Sequence, residues 1–367
     1  MDRTSEFHLQ NVSILIEDDK IVDVGHGLND DGLEVVNLDG QYVSAGWIDM
    51  HVHCFNGAWS EGIDPDRVGY ESGVTMLIDA GTSGADTVEK FMKEVSTKVT
   101  KVKALLNISK QGLLTLHELR NIEDIDVELA IQQAKKYPEF IVGFKLRASA
   151  SVMGEDMKTP FIRAKEIQKI VDKPLMVHVG NRPPTLDEVL NSLDRGDIVT
   201  HCFNGKDNGL LVDGSIRKSA LQARERGVIF DVGHGSASFN TEVANSSKEL
   251  GFIADTISTD IYLKNVNGPV YSLAHCMSKM MEIGYGLEDT IMMVTRNVAD
   301  AVKLDGYGSI RPGFVADLTI FKEAKLDSEI LDSDGNIIQL HQQLIPSAVV
   351  IDGTWRETTY GENEHIY

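Results

Sequence analysis

Six residues far apart in the chain have types suited to holding divalent ions: His51, His53, Lys145, His178, His201 and Asp260. His51 and His53 stand in Ile48-Asp49-Met50-His51-Val52-His53. Alternate residues of a strand point to one face, so this spacing presents two imidazoles side by side. Imidazole nitrogens and carboxylate oxygens are good ligands for zinc and related divalent ions. Lys145 is the odd member, because an ammonium repels cations. Carbamylated by carbon dioxide (N6-carboxylation), it becomes an anion with two oxygens that can bridge metals ~3.5–4 Å apart, the separation of two-metal hydrolytic sites. Such a set supports hydrolysis. A water shared by two ions, and ionised by their charge, attacks a carbonyl carbon that one ion polarises.

These residues need elements that converge. Eight short apolar runs recur over residues 46–305: Trp47–Phe55, Val74–Ala80, Val102–Ser109, Phe140–Ala148, Pro174–Gly180, Asp197–Phe203, Val228–Gly235 and Ala254–Ile261. Most are rich in Val and Ile and nearly continuous in hydrophobicity, as strands covered on both faces are. Amphipathic stretches lie between them, among them Thr87–Val95, Asp126–Tyr137, Phe161–Val171 and Ser215–Arg226. Strand–helix alternation repeated eight times predicts an α/β fold, a (β/α)8 TIM barrel, with an open doubly wound sheet as the rival. The barrel is preferred because the candidate ligands fall late in their runs, and catalytic groups of barrels sit at the C-terminal ends of strands. Both chain ends read differently. Val12–Ile16 and Lys20–Val24 flank Glu17-Asp18-Asp19, Leu33–Leu38 and Gln41–Val43 flank Asp39-Gly40, and Ala316–Phe321 and Ala348–Ile351 precede Asp352-Gly353 and Thr354–Arg356. Residues 1–45 and 306–367 are therefore expected to form one small β-sandwich domain.

The 367 residues carry a formal net charge of −21, with 42% hydrophobic and 25% charged residues. The apolar share is enough for a sizeable core, and the negative charge argues against nucleic acid and anionic membranes as partners. Three cysteines, Cys54, Cys202 and Cys276, form no disulfide framework. No secretory leader or membrane-spanning run is visible, so a cytoplasmic location is expected.

Taken together, GWIDMHVH, GFKLRAS, MVHVG, VTHCF, STD and RPGFVADLTIF resemble the amidohydrolase superfamily along the whole chain. The subtype is the binuclear one with a carbamylated lysine, and within it the bacterial dihydroorotase-like amidohydrolase/deacetylase group. The resemblance implies a first metal held by His51, His53, Lys145 and Asp260, and a second held by Lys145, His178 and His201, with Asp260 taking the proton from the attacking water and passing it to the leaving group. Zinc is the expected ion, with manganese as the alternative. One departure is a short polar stretch where family members begin with an extra strand. A second is Phe55, at the position two residues after His53 where dihydroorotases carry an arginine for the substrate carboxylate. Lys145 also argues against adenine deaminases, which use a glutamate as metal bridge.

The activity expected is hydrolysis of an amide or ester, deacetylase-like, on a small carboxylate-bearing compound. Cyclic amide hydrolysis is the runner-up, followed by adenine deamination, and a non-catalytic metal- or ligand-binding barrel is the alternative from another class. Arg147, two residues after Lys145, is the candidate for the substrate carboxylate, though an ion pair within the protein explains it equally well. His234, Asn204, Asn181 and Tyr262 are candidate pocket residues. His8, His26, His117, His275, His341 and His365 read as ordinary core or surface residues, and Cys54 and Cys202 as packing. A homo-oligomer is compatible with the sequence.

Overall fold

A computed structural model describes residues 1–360. His365 and the end of the expected small domain lie outside the described residues. In chain order, the strands are β1 Ser13–Glu17, β2 Lys20–Gly25, β3 Tyr42–Ala45, β4 Trp47–Val52, β5 Val74–Ala80, β6 Lys101–Asn107, β7 Ile141–Ala148 and β8 Leu175–Val179. Then follow β9 Ile198–Thr200, β10 Leu211–Val212, β11 Ser215–Ile216, β12 Ile229–Phe230, β13 Leu318–Leu331, β14 Ile337–Ile351 and β15 Thr354–Glu357.

Seven strands form one parallel sheet in the order β12-β9-β8-β7-β6-β5-β4, so each new strand of the series joins the same edge. Between the strands, helices Val88–Val95, Val127–Lys136, Thr159–Val171 and Lys218–Arg226 cover the outer face. They match the four amphipathic stretches. Asp126 starts the second of these helices by accepting from Leu129 N at 2.9 Å, a side-chain cap for an otherwise unpaired amide. The eighth run departs from expectation. It is no continuous strand, yet Thr256 bridges Asp231 and Ile261 bridges Val52, both in parallel. Segment 256–261 thus touches both edges of the sheet. Asp260, at φ 51°, interrupts its extended backbone. The result is an α/β fold whose parallel sheet curls around an inner core.

That core explains how His51 and His53 come to face inward. Ile48 and Met50 belong to the inner cluster with Met76, Ile78 and Met176, whereas Val52 and Cys54 belong to the outer one. Strict alternation would leave His51 on the outer face with Trp47. The pairing of β4 with β5 shifts register between Asp49 and Val52, and this one-residue irregularity turns both histidines inward.

Strands from the two chain ends do meet. An antiparallel sheet runs β15-β14-β13-β3, with Leu318 opposite Ala45 and Phe321 opposite Tyr42. The β1–β2 hairpin meets the segment leading into β13 through the Lys20–Val315 bridge and through Ala316 N, which donates to Asp19 O at 2.8 Å, and Ile21, Val24, Ala45, Leu318, Ile320 and Val350 share one apolar cluster. Both central residues of the β14–β15 turn have positive φ, Asp352 at 47° and Gly353 at 74°. A Cβ on Gly353 would lie 1.8 Å from the Asp18 carbonyl oxygen, so only glycine fits there. Leu33–Leu38 is not a strand, because no neighbouring strand accepts it, and Leu33, Val35 and Val36 remain exposed. The β13–β14 hairpin is much longer than the apolar runs indicated and crosses to the parallel-sheet unit. Leu344 N donates to Ser278 Oγ at 3.0 Å, and Asp332 at its tip accepts from Thr241 N at 2.8 Å. No helix among the described residues is long and apolar enough to cross a membrane.

Candidate metal centre

All six candidate ligands meet at the mouth of the curled sheet. Asp260 is the hub: its Oδ1 lies 3.3 Å from His51 Nε2 and 3.2 Å from His53 Nε2, and its Oδ2 lies 4.0 Å from His201 Nε2. The ligand atoms of His51, His53 and Asp260 lie within 4.8 Å of one another. Lys145 Nζ is 2.9 Å from His51 Nε2, and His201 Nε2 is 2.8 Å from His178 Nδ1. His201 and Asp260 both hold left-handed backbone, at φ 68° and 51°, a strained conformation for residues with a Cβ. Gly233 and Gly235 make room for them. A Cβ on Gly233 would lie 2.9 Å from His201 Nδ1, and one on Gly235 would lie 2.7 Å from Asp260 Oδ2.

The outer ring nitrogens decide whether the set suits a metal. His51 Nδ1–H donates to Thr200 Oγ1 at 2.9 Å, and that hydroxyl donates to Asp231 Oδ2 at 2.7 Å. His53 Nδ1 lies 2.7 Å from Thr82 Oγ1, while Thr82 N donates to Asp79 Oδ1 at 2.7 Å. His201 Nδ1–H donates to Gly233 O at 2.6 Å. With the proton fixed on Nδ1 of His51 and of His201, their Nε2 atoms present lone pairs inward, the tautomer that binds divalent ions. The residues present therefore fit a metal centre of nitrogen and oxygen ligands.

The electrostatics agree. Burial, with Lys145 and the other histidines nearby, holds His51 well below the usual imidazole range. Burial does the same to His178, and brings His201 down to about 4 despite Asp260 beside it. All three are neutral at pH 7. Burial also draws Lys145 down to about 7, so a large share of it is free amine, the form that attacks carbon dioxide. For Asp260, burial acts upward, but the hydrogen bond with His53 and the nearby His201 and Lys145 outweigh it and keep the carboxyl below its ordinary range.

Thr200 makes this arrangement testable. Thr200→Val removes the acceptor for His51 and one of the three hydroxyls on buried Asp231, the others being Thr256 and Ser258. Loss of such an outer partner lowers metal affinity about 10–100-fold, and the unpaired buried groups cost about 1–3 kcal/mol. Metal titration and thermal unfolding of this variant check both.

The candidate substrate residues fare unequally. Arg147 Nη1 lies 3.2 Å from both oxygens of Glu118, whose side chain is buried, so its charge is already compensated. His234 is buried with Nε2 2.9 Å from Lys279 Nζ and Nδ1 3.0 Å from Gly235 O, so both nitrogens are engaged. Asn204 donates to His201 O and accepts from Lys206 N, fixing the loop after β9. The Asn181 side chain is exposed. Tyr262 does border the centre: its ring is 5.1 Å from Trp59, which in turn meets His53 edge-on at 5.5 Å, and its hydroxyl lies 2.7 Å from Ser236. Phe55 stacks on Phe91 in the core, away from the centre. Trp59, Thr82, Thr200 and Ser236 were not evident from sequence. Only the hydroxyl residues carried a signal, Thr200 standing directly before His201.

A sequence profile described as the amidohydrolase family matches residues 42–356. The chain is 41% identical over 347 residues to a protein of Enterococcus faecalis named deacetylase, covering 93% of this chain and 94% of that one. A solved structure titled an adenine deaminase superposes with a TM-score of 0.93 at 40% identity, covering 95% of this chain and 96% of that one. Another, titled a dihydroorotase, has a TM-score of 0.88 at 35% identity and covers 96% of both chains.

Proposed function

This chain belongs to the amidohydrolase family, and we propose that it is a metal-dependent deacetylase that cleaves an amide or ester of a small carboxylate-bearing compound. The observation that carries this reading is the convergence of four imidazoles, a buried lysine and one carboxylate, with the outer nitrogens of His51 and His201 tied to oxygen acceptors. The E. faecalis relative, similar over nearly its full length, carries the deacetylase name.

His51, His53, Lys145 and Asp260 would hold one divalent ion, and Lys145, His178 and His201 the other, with zinc proposed and manganese second. When bound, the pair supplies Lewis acidity at the carbonyl and lowers the pKa of the attacking water. Lys145 would serve as its N6-carboxylate, which its free amine near neutral pH allows. Asp260, anionic at neutral pH, takes the proton from water and returns it to the leaving nitrogen or oxygen. Trp59 and Tyr262 form an aromatic wall beside His53.

Cyclic amide hydrolysis is the second reading, favoured by the dihydroorotase structure. Against it, the position of the expected carboxylate-binding arginine is Phe55, buried in the core. The substrate is proposed to be a small anion and the protein a cytoplasmic homo-oligomer, with residues 46–305 as the catalytic barrel and 1–45 plus 306–367 as the small β domain. A panel of N-acetyl amino acids, O-acetyl hydroxy acids, dihydroorotate and adenine tests the reading. The expected result is release of acetate, abolished by a chelator, with kcat/KM for the best acetylated acid at least ~100-fold above dihydroorotate and adenine. Ammonia from adenine, or ring opening of dihydroorotate, as the fastest reaction contradicts it.

A further inference from the structure

Binding an anionic substrate at an acidic protein requires a local cation whose hydrogen-bond donors are not already taken. Arg147 is held by Glu118. Lys279 is fully buried, and its Nζ is already engaged by Pro269 O, Leu331 O and His234 Nε2. Lys206 differs from both. It is half-buried in the loop five residues after His201, and its Nζ has no hydrogen bond or ion pair among the described residues.

The loop is fixed on both sides of Lys206. Asn204 accepts from Lys206 N at 3.1 Å and donates to His201 O at 2.8 Å, while Gly209 N donates to Lys206 O at 2.8 Å. Gly205 is pressed against the tip of the β13–β14 hairpin: a Cβ there would lie 2.1 Å from Asp334 Oδ2 and 2.8 Å from Asn240 Nδ2. Asp334 is itself taken by Asn240 Nδ2 at 2.7 Å. The loop thus holds Lys206 beside His201, near enough for its charge to act on His178 and His201 and for Asp334 and Asp260 to act on it. A partly dehydrated ammonium without an acceptor is costly to keep unless an anion completes it.

We propose that Lys206 is the substrate-binding residue that receives the carboxylate of the acetylated compound, at the mouth between the metal ligands and the hairpin tip. This rests on the deacetylase reading for the substrate class, but not for the presence of an anion site. Lys206→Met keeps an unbranched side chain only one atom shorter and removes the charge. Calorimetric titration of the metal-loaded wild type and variant uses N-acetylglycine and its neutral amide, N-acetylglycinamide. The expected result is that N-acetylglycine binds about 10–100-fold more weakly to Lys206→Met, the loss of one charge-assisted hydrogen bond, while the amide changes less than about twofold. Lys206→Arg should recover part of the difference. Equal affinity of both proteins for N-acetylglycine, a parallel loss for the amide, or no preference of the wild type for the anion each overturns it. Should binding depend on Lys206 while no acetylated acid is hydrolysed, the deacetylase reading fails and the anion site stands.

Discussion

Asp260→Asn is expected to retain its metal and lose about 10²–10⁴-fold in kcat, the range removed with a general base. The side chain keeps its shape and one coordinating oxygen. The fold around it is over-determined: Asp260 N donates to His51 O at 2.6 Å, its carbonyl accepts from Asn265 Nδ2 at 2.9 Å, and Gly235 packs against Oδ2. What changes is basicity. The carboxyl lies below its usual range, so at neutral pH it is an empty proton acceptor, whereas an amide cannot take the proton at all. Metal content by elemental analysis should match the wild type while turnover collapses. A variant with wild-type kcat removes Asp260 from the proton path.

Lys145→Met should be as inactive for a different reason. Lys145 is fully buried, 2.9 Å from His51 Nε2 and 3.3 Å from Met176 Sδ, and its Cβ is accommodated because residue 81 is glycine. Methionine fills that space without an oxygen to share between two ions. Metal content is expected to fall below about one equivalent and kcat/KM by more than about 10³-fold, since both activation of water and polarisation of the carbonyl depend on the pair. Unfolding of the metal-free variant should occur at the same temperature as the metal-free wild type or higher, because a buried amine is replaced by an apolar group. Full metal content and activity in Lys145→Met would show that the lysine bridges nothing.

Much of the centre is legible in the sequence because strand ends in parallel sheets converge. His51, His53, Lys145, His178, His201 and Asp260 each stand late in an apolar run, and those runs adjoin in the sheet in chain order. The slip between Met50 and His51 leaves no mark in the residue pattern, since Ile48, Met50 and Val52 alternate as if one face continued. The β13–β14 hairpin was hidden for a related reason. From Lys322 to Glu329 the chain is rich in charge, and half-exposed strands are stabilised by their cross-strand partners more than by their own hydrophobicity. Leu33–Leu38 shows the converse: apolar alternation without a partner makes a loop. Arg147 was ambiguous because its partner, Glu118, lies 29 positions away in a loop with no periodic signal.

The paired-metal centre is tested most directly by native mass spectrometry of the chain purified with zinc and bicarbonate. The predicted mass is that of the polypeptide plus two zinc ions and one carbon dioxide, with the carbon dioxide absent from Lys145→Met. A fully active protein that carries at most one ion, with Lys145 unmodified, would contradict it.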